Sequence, residues 1–414
     1  MNLPPELIEQ ILNKCDGITL LNARKVDPKW RSIVDYLTQK TRIWQWCCKE
    51  EIPANQLIEY LQKYKPNDED RWLHIYINWC SWEHLDNVVC DIILSPVDVP
   101  RISCLAVSSE FIAVGSQDGR LRIFTSNWKM IYMARILAVK ITSLTFIESD
   151  EVEPERGLCL VISFNRGLQI FYFDGINKGQ LEIHDVKSHS VYRNYICYEK
   201  LGGRLTISKI ISRHGHKELA EIWFSRIYSP SSLSCMKMWD GICTFLINNE
   251  VKTIQYGAED ATPMDIMEKK TRIRYNSPLV ENQNTQILRN DIIIRLCKNE
   301  DNLKCDFIEF FLLGKLEKYS KKMFSTWEIF RSYITCIYLY GNTLILGMDI
   351  GNVYIYHVSS WKNLDIRNYS HKIIIGKHPI INIVVKETPN ERRFYVSSKF
   401  NVHEVTGFLP NIYI

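Results

Sequence analysis

Apolar residues in this chain follow two different periods, and the change falls near residue 88. Over NLPPELIEQILNKC, Leu7, Ile8, Ile11 and Leu12 recur at helical spacing, so one stripe of the segment needs an apolar partner. Pro4, Pro5 and Glu6 suit a first helical turn, where a missing N–H costs little and a carboxylate complements the dipole. Asp16 and Gly17 end that helix. Thr19 reads as the N-cap of a second short helix through Leu20, Leu21 and Ala23, and Asp27 followed by Pro28 as N-cap and first position of a third, lined by Trp30, Ile33, Val34 and Leu37. Helices this short hold too few apolar residues to build a large core. Their apolar positions therefore predict a docking surface.

The next stretch, TRIWQWCCKEEIPANQLIEYLQKY and then DRWLHIYINWCSWEHL, crowds Trp44, Trp46, Trp72, Trp79 and Trp82 together. It is expected to be ordered and helical, its aromatics packing helix on helix rather than forming a ligand cage. From Val88 onward short β-branched and aromatic runs alternate between turns. ISCLAVSSEFIAVGSQDGRLRIF from Ile102 and ITCIYLYGNTLILGMDIGNVYIYHV from Ile334 share a pattern: an I-x-C strand, a second apolar strand, a Gly/Asp turn and a third strand ending in aromatics. Gly115, Asp118, Gly119 and Phe124 mark it in one copy, and Gly347, Asp349, Gly351 and Tyr356 in the other. A third copy starts at Ile141 and passes through Ser163, Asn165, Gly167 and Phe171. Weaker starts lie near Tyr195, Met236, Leu288 and Ile380. Successive starts about 40 to 55 residues apart predict about seven propeller blades of four strands each. The strand Val88 to Leu94 is expected to complete the last blade and close the ring, removing an exposed edge.

The ordered set LP, EL, IL, LL, V and W between Leu3 and about Leu37 resembles an F-box, the helical module by which substrate receptors bind the Skp adaptor of cullin-RING ubiquitin ligases. The family usually has a Cys or Ser and a basic pair before the Trp, where this chain has Asp27, Pro28 and Lys29. The Asp118-Gly119 hairpin resembles a degenerate WD repeat without its closing Trp-Asp; Trp239-Asp240 opens a segment instead of ending one. The resemblance implies an α + β multidomain chain: a three-helix F-box over residues 1–40, a helical Trp-rich linker over 41–87, and an all-β propeller of degenerate WD-like blades over 88–414. It implies adaptor contacts by Leu3, Pro4, Leu7, Ile8, Ile11, Leu12, Leu20, Leu21, Val26 and Trp30, and through the adaptor a cullin and a RING protein. The propeller would then select a protein substrate, making the chain the substrate receptor of an SCF-type ligase in the ubiquitin conjugation pathway. Helices that merely cap their own domain are the alternative reading of the N-terminus.

Composition narrows the picture further. With 414 residues, 46% of them hydrophobic, the chain exceeds the usual single-domain size and can bury a full core. No apolar run is long enough to cross a bilayer, and Pro4, Pro5 and Glu6 stand where a signal peptide would be apolar, so no membrane partner and a cytoplasmic or nuclear location are expected. The 13 Cys residues form no CxxC pair and are expected to be buried thiols; the adjacent Cys47 and Cys48 suit neither zinc nor an ordinary disulfide. A net charge of +4 gives no argument for nucleic acid. No nucleophile elbow, P-loop or zincin helix is present, so neither a cofactor nor a catalytic residue is expected. His214 and His216 around Gly215, and Glu300 and Asp301, read as charged hairpin tips.

In WD-like blades the loop before the first strand and the turn between the second and third lie on one face. That rule brings Arg101, Arg120, Lys140, Arg166, Arg213, Arg331, Lys377 and His378 to one rim, where acidic or phosphorylated segments of a substrate would be their complement. Solvated loop charge is the plainer reading of the same residues. A non-ligase interaction scaffold, and after it a propeller enzyme, are the alternatives for the whole chain.

Overall fold

Among the described residues, six helices precede seven four-stranded antiparallel sheets along the chain. The structure, a computed structural model, describes residues 3–63, 70–82, 86–94, 101–108, 110–147, 158–173, 178–213, 216–226, 233–239, 241–247, 250–256, 268–272, 284–298, 305–313, 319–388 and 391–408. Helix α1 (Pro5–Leu12) carries Pro5 in its first turn. Helix α2 (Gly17–Val26) is capped by Asp16, whose carboxylate accepts from the Thr19 N–H at 2.9 Å. The side-chain and backbone hydrogen bonds of Thr19 hold that carboxyl below its ordinary range despite partial burial. Thr19 is thus inside the helix and not its cap, because a carboxylate is the stronger acceptor at the positive end of the helix dipole. Asp27 caps α3 (Pro28–Lys40) as its sequence pattern predicts, accepting from Lys29 N–H at 2.7 Å.

Helices α4 (Ile43–Glu51), α5 (Ala54–Lys63) and α6 (Arg71–Trp82) complete the helical part. Trp44 packs at 5.6 Å on Tyr76, which meets Trp79 at 5.6 Å, while the Trp44 indole N–H donates to Thr38 Oγ1 at 2.8 Å. Four of the five tryptophans are buried or packed against the core; Trp46 is exposed. Glu51 ties the segments together by accepting from the Gly17 N–H at 2.8 Å and from the Tyr76 hydroxyl. A Cβ on Gly17 would lie 2.3 Å from the Tyr76 ring, so only glycine lets α2 approach α6 here. Cys47 and Cys48 are fully buried, and burial with the nearby Glu51 charge pushes the Cys47 thiol up to about 12, which keeps it protonated and unreactive.

The seven sheets are blades I (residues 102–135), II (143–184), III (186–226), IV (233–272), V (284–325), VI (334–374) and VII (380–408). Blade VII has only three strands of its own, and Asp86–Leu94 pairs antiparallel with Val402–Phe408 as its outer strand, so the ring closes as expected. The first strands of blades VII and I lie side by side and complete the circle. Starts at Ile102, Ile334 and Ile380 open first strands. Tyr195 does not: blade III begins at Val186, and Tyr195–Lys200 is its second strand. Polar residues in VKSHSVY hid the inner strand, whose half-buried His189 is lowered to about 4 by loss of solvent.

The I-x-C repeat has a packing cause. Cys104 pairs across the sheet with Gly115, and Cys336 with Gly347. A Cβ on Gly347 would stand 2.6 Å from Cys336 Sγ and 2.8 Å from Ile380 Cγ2, and one on Gly115 would meet Cys104 and Ile141 in the same way. Each glycine therefore makes room for the cysteine of its own blade and the first isoleucine of the next.

Helix α5 joins the helices to the ring. Its Glu59 accepts from the Gly341 N–H at 2.8 Å, its Gln56 donates to Asn342 Oδ1 at 2.6 Å, and its Asn55 donates to Asp291. Arg289, almost fully buried, donates to Asp291 Oδ1 at 2.6 Å and to Gly341 O at 3.1 Å, bridging the first turns of blades V and VI. Tyr60 and Trp82 pack edge-on against Tyr340 at 5.2 and 5.4 Å, and Ile58 packs on the core of blades IV and V. One apolar cluster runs from Ile8 through these helices to Val405 of blade VII.

Two tests follow from this packing. Gly347→Ala should cost about 1–3 kcal/mol by overpacking, read as a lower urea midpoint, and Cys336→Ala in the same chain should restore part of it; additive losses would exclude the clash as cause. The second concerns Glu59, which burial raises to about 7 against the opposing charges of Arg289 and Lys237 and the Gly341 N–H, with Asp291 adding to the rise. The folded state then binds more protons than the unfolded state between the ordinary carboxylate range and about pH 7. Its contribution is full below that window and is lost as pH rises through it. Urea midpoints of wild type should fall across the window more steeply than those of Glu59→Gln; parallel slopes would count against a raised carboxyl.

Candidate functional site: an N-terminal docking face and the propeller rim

Helix geometry splits the ten N-terminal candidates into two sets. Leu3, Pro4, Leu7, Ile11 and Val26 are exposed, with Leu7 at 45%, Ile11 at 48% and Val26 at 69%. Ile8, Leu12, Leu20 and Leu21 point the other way and belong to the core shared with α4 and α6, and Trp30 is partly buried against it. As the chain is folded here, those four cannot touch a partner directly; they hold the exposed five in place. Ile18 and Tyr36 are also exposed on these helices and were not singled out by the sequence pattern, and Trp46, expected to pack helix on helix, is exposed as well. A stripe of aliphatic and aromatic side chains around one small helical unit is costly in water and suits an apolar partner surface. The arrangement favours the docking reading over a cap on the chain's own domain.

The propeller has two faces with different roles. Helix α5 occupies the face formed by turns between first and second strands, at Asp291 and at Gly341 with Asn342. The opposite face carries the entries to first strands and the turns between second and third strands. Arg101, Arg120, Lys140, Arg166, Arg331, Lys377 and His378 are all exposed there. They fall on blades VI, VII, I and II and their connections, one sector of the ring. Arg213 does not join them: it ends the third strand of blade III, at the hairpin to His216–Arg226, which lies on the α5 side. That correction follows from the late start assigned to blade III, which turned a third strand into a second one. The Arg213 side chain lies outside the described residues, as do His214, Gly215, Asp240, Asn248, Asn249, Glu300 and Asp301 and the side chain of His216.

The rim cations are not equivalent. Arg120 forms an ion pair with Asp118 at 3.0 Å, and Asp118 also accepts from Ser116 Oγ at 2.5 Å. Burial raises the Asp118 carboxyl, but the bonds from Ser116 and the Arg120 N–H and the charges of Arg120 and Arg135 outweigh it and leave it below its ordinary range. Arg120 thus serves its own turn. Asp349 is likewise engaged, by Ser332 Oγ at 2.6 Å and the Tyr333 N–H at 3.1 Å. Arg331 sits in the left-handed region, φ 53°, closing α7 (Thr326–Phe330). His378 meets the Phe400 ring edge-on at 5.4 Å, and Lys399, beside Phe400, adds a cation that sequence reasoning missed. Lys399 O accepts from the Ile102 N–H at 2.9 Å, which brings this turn next to Arg101. Among the described residues no cluster of His, Cys, Asp and Glu could hold a metal, and no helix is long and apolar enough to cross a membrane.

Residues 1–41 match the F-box domain family. The chain therefore combines an N-terminal F-box with a seven-bladed β-propeller. No curated protein sequence matches it. Among solved structures it is similar to the crystal structure of the computationally designed Ika8 protein, with 10% identity over 77% of this chain and 100% of that one and a TM-score of 0.44. Nothing about function is carried over from that likeness.

The split between exposed and buried candidates is testable. Leu7→Ala with Ile11→Ala should weaken binding to a Skp-family adaptor about tenfold or more with little change in melting temperature. Leu20→Ala, at a fully buried position, should instead cost about 2–5 kcal/mol of stability. Calorimetry with the adaptor and thermal melts of the three chains check both; an unaltered adaptor affinity for the double variant would remove this face as the contact.

Proposed function

We propose that this protein is the substrate-recognition subunit of an SCF-type ubiquitin ligase, acting in the cytosol or nucleus. In this reading the F-box holds the Skp-family adaptor, and through it the cullin and RING protein, while the propeller captures a protein substrate. The chain supplies no catalytic group; it works by holding two partners at a set separation. The observation that carries the reading is the F-box match over residues 1–41 together with an exposed apolar stripe on the same helices. Further support comes from the buried α5 junction, which leaves the cationic face of the propeller turned away from the helices.

The substrate segment that best fits the exposed cations is acidic or phosphorylated. Arg101, Lys377 and Lys399 come from neighbouring turns and would add their potentials at one sector of the opening, with His378 beside them. Co-purification of the full chain from cells should bring down adaptor, cullin and RING protein together. Adaptor without cullin would make the chain a scaffold outside the ligase. Against a substrate identified by its accumulation under proteasome inhibition, Arg101→Glu with Lys377→Glu should weaken binding about fivefold or more, and wild-type binding should fall with salt. Affinity indifferent to both would mean that the cations are only solvated loop charge.

A further inference from the structure

A cavity of about 340 Å³ opens at the seam of blades I and II, on the same face as the cations. Its apolar lining comes from Leu137 and Val139 in the connection between the blades and from Phe164, Leu168 and Ile183 of blade II. Leu137 and Val139 are 42% and 48% exposed, although both are aliphatic. The connection is pinned, so it cannot fold these side chains away. The Ile136 N–H donates to Gly119 O at 2.9 Å and the Ile141 N–H to Ser116 O at 3.2 Å, closing the segment at both ends. Gly119, at φ +81°, packs so closely that a Cβ there would lie 1.7 Å from Leu137 O. The cavity is therefore built in advance and would lose little entropy on filling.

Three features narrow what would fill it. Its size is at the lower end of the roughly 300–1,000 Å³ of small-molecule sites, which suits one or two amino-acid side chains better than a nucleotide or other large cofactor. Gln169 lines the cavity and is 3% exposed, and its amide oxygen is shielded from solvent. Its NH2 group donates to Gln180 Oε1 at 2.8 Å and Glu182 Oε1 at 3.3 Å, so this wall offers an incoming group neither a free donor nor a reachable acceptor, which suits an apolar side chain. The charge around the mouth is the third feature. Glu182 already accepts from Gln169 and faces His184 at 3.6 Å, whereas Arg166 is exposed at the lip and Lys140 follows Val139 directly.

We propose that this cavity anchors an extended segment of a captured protein, taking one bulky aliphatic or aromatic side chain, with a neighbouring carboxylate beside Arg166. The proposal rests on the reading of the propeller as the partner-capturing unit and holds whether or not ubiquitin transfer follows. A random heptapeptide display library panned against the full-length chain tests it. The selected peptides should share a bulky apolar residue next to Asp or Glu. The synthetic consensus peptide should bind Val139→Glu about tenfold or more weaker than wild type and Arg166→Glu about threefold or more weaker, with both variants keeping wild-type melting temperatures and adaptor affinity. Leu137→Ser, a milder change on the same wall, should act in the same direction. No shared motif, or a consensus peptide that binds Val139→Glu and Leu137→Ser as well as wild type, would overturn the proposal. Peptide binding that follows this pattern in a chain that binds no adaptor would support the cavity and sink the ligase reading.

Discussion

The arrangement of the whole chain depends on one buried polar junction. Arg289 is almost fully enclosed, yet its guanidinium is held by Asp291 and by the carbonyl of Gly341, while Glu59 accepts from the Gly341 N–H beside it. Buried charge is tolerated only where partners replace water. The partners of Arg289 come from two adjacent blades, whereas Glu59 of helix α5 meets the Gly341 N–H only when helix and ring are docked. The same helix places Ile58 and Tyr60 against apolar surface, and Trp82 covers Tyr340 just before the chain enters the strand that closes blade VII. Docking of the linker and closure of the ring are thereby consecutive along one short stretch.

That junction separates two surfaces with opposite chemistry. The helical end presents Leu7, Ile11 and Val26, whose burial in a partner would be driven by removal of apolar area from water. The far face of the propeller presents cations, which add range and direction to an encounter more than they add contact area. Two partners engaged on these surfaces need not compete, and a change at one is expected to be felt little at the other because no side chain belongs to both. The cavity between blades I and II adds the apolar element that the rim lacks, close enough to Arg166 for one segment to use both.

Much of this was legible in the residues alone. Helical spacing of Leu7, Ile8, Ile11 and Leu12, the Asp27-Pro28 cap, the repeated I-x-C with its paired glycine, and a lone strand ahead of the first blade are local signals, and each corresponds to an element of the fold. Where the local signal was weak the reading slipped: a polar inner strand in VKSHSVY moved the start of blade III and carried Arg213 to the wrong face, and Asp16 displaced Thr19 as a cap.

Periodicity and turn chemistry act between neighbours in the chain, and so the sequence by itself determined the elements, their order and the number of blades. Which apolar residues stay in water was decided by tertiary packing, because Leu7 and Ile8 differ only in the side of α1 that packs against α3 and the core behind it. Tertiary structure also decided that Arg120 is spent on Asp118 while Arg166 is not paired with it, and that Asn55, Glu59, Arg289 and Gly341 meet across more than two hundred residues. The cavity at the seam exists only because blade II and the connection before it are folded against blade I. Such meetings depend on shape and on which groups exclude water from which, and no local pattern encodes them.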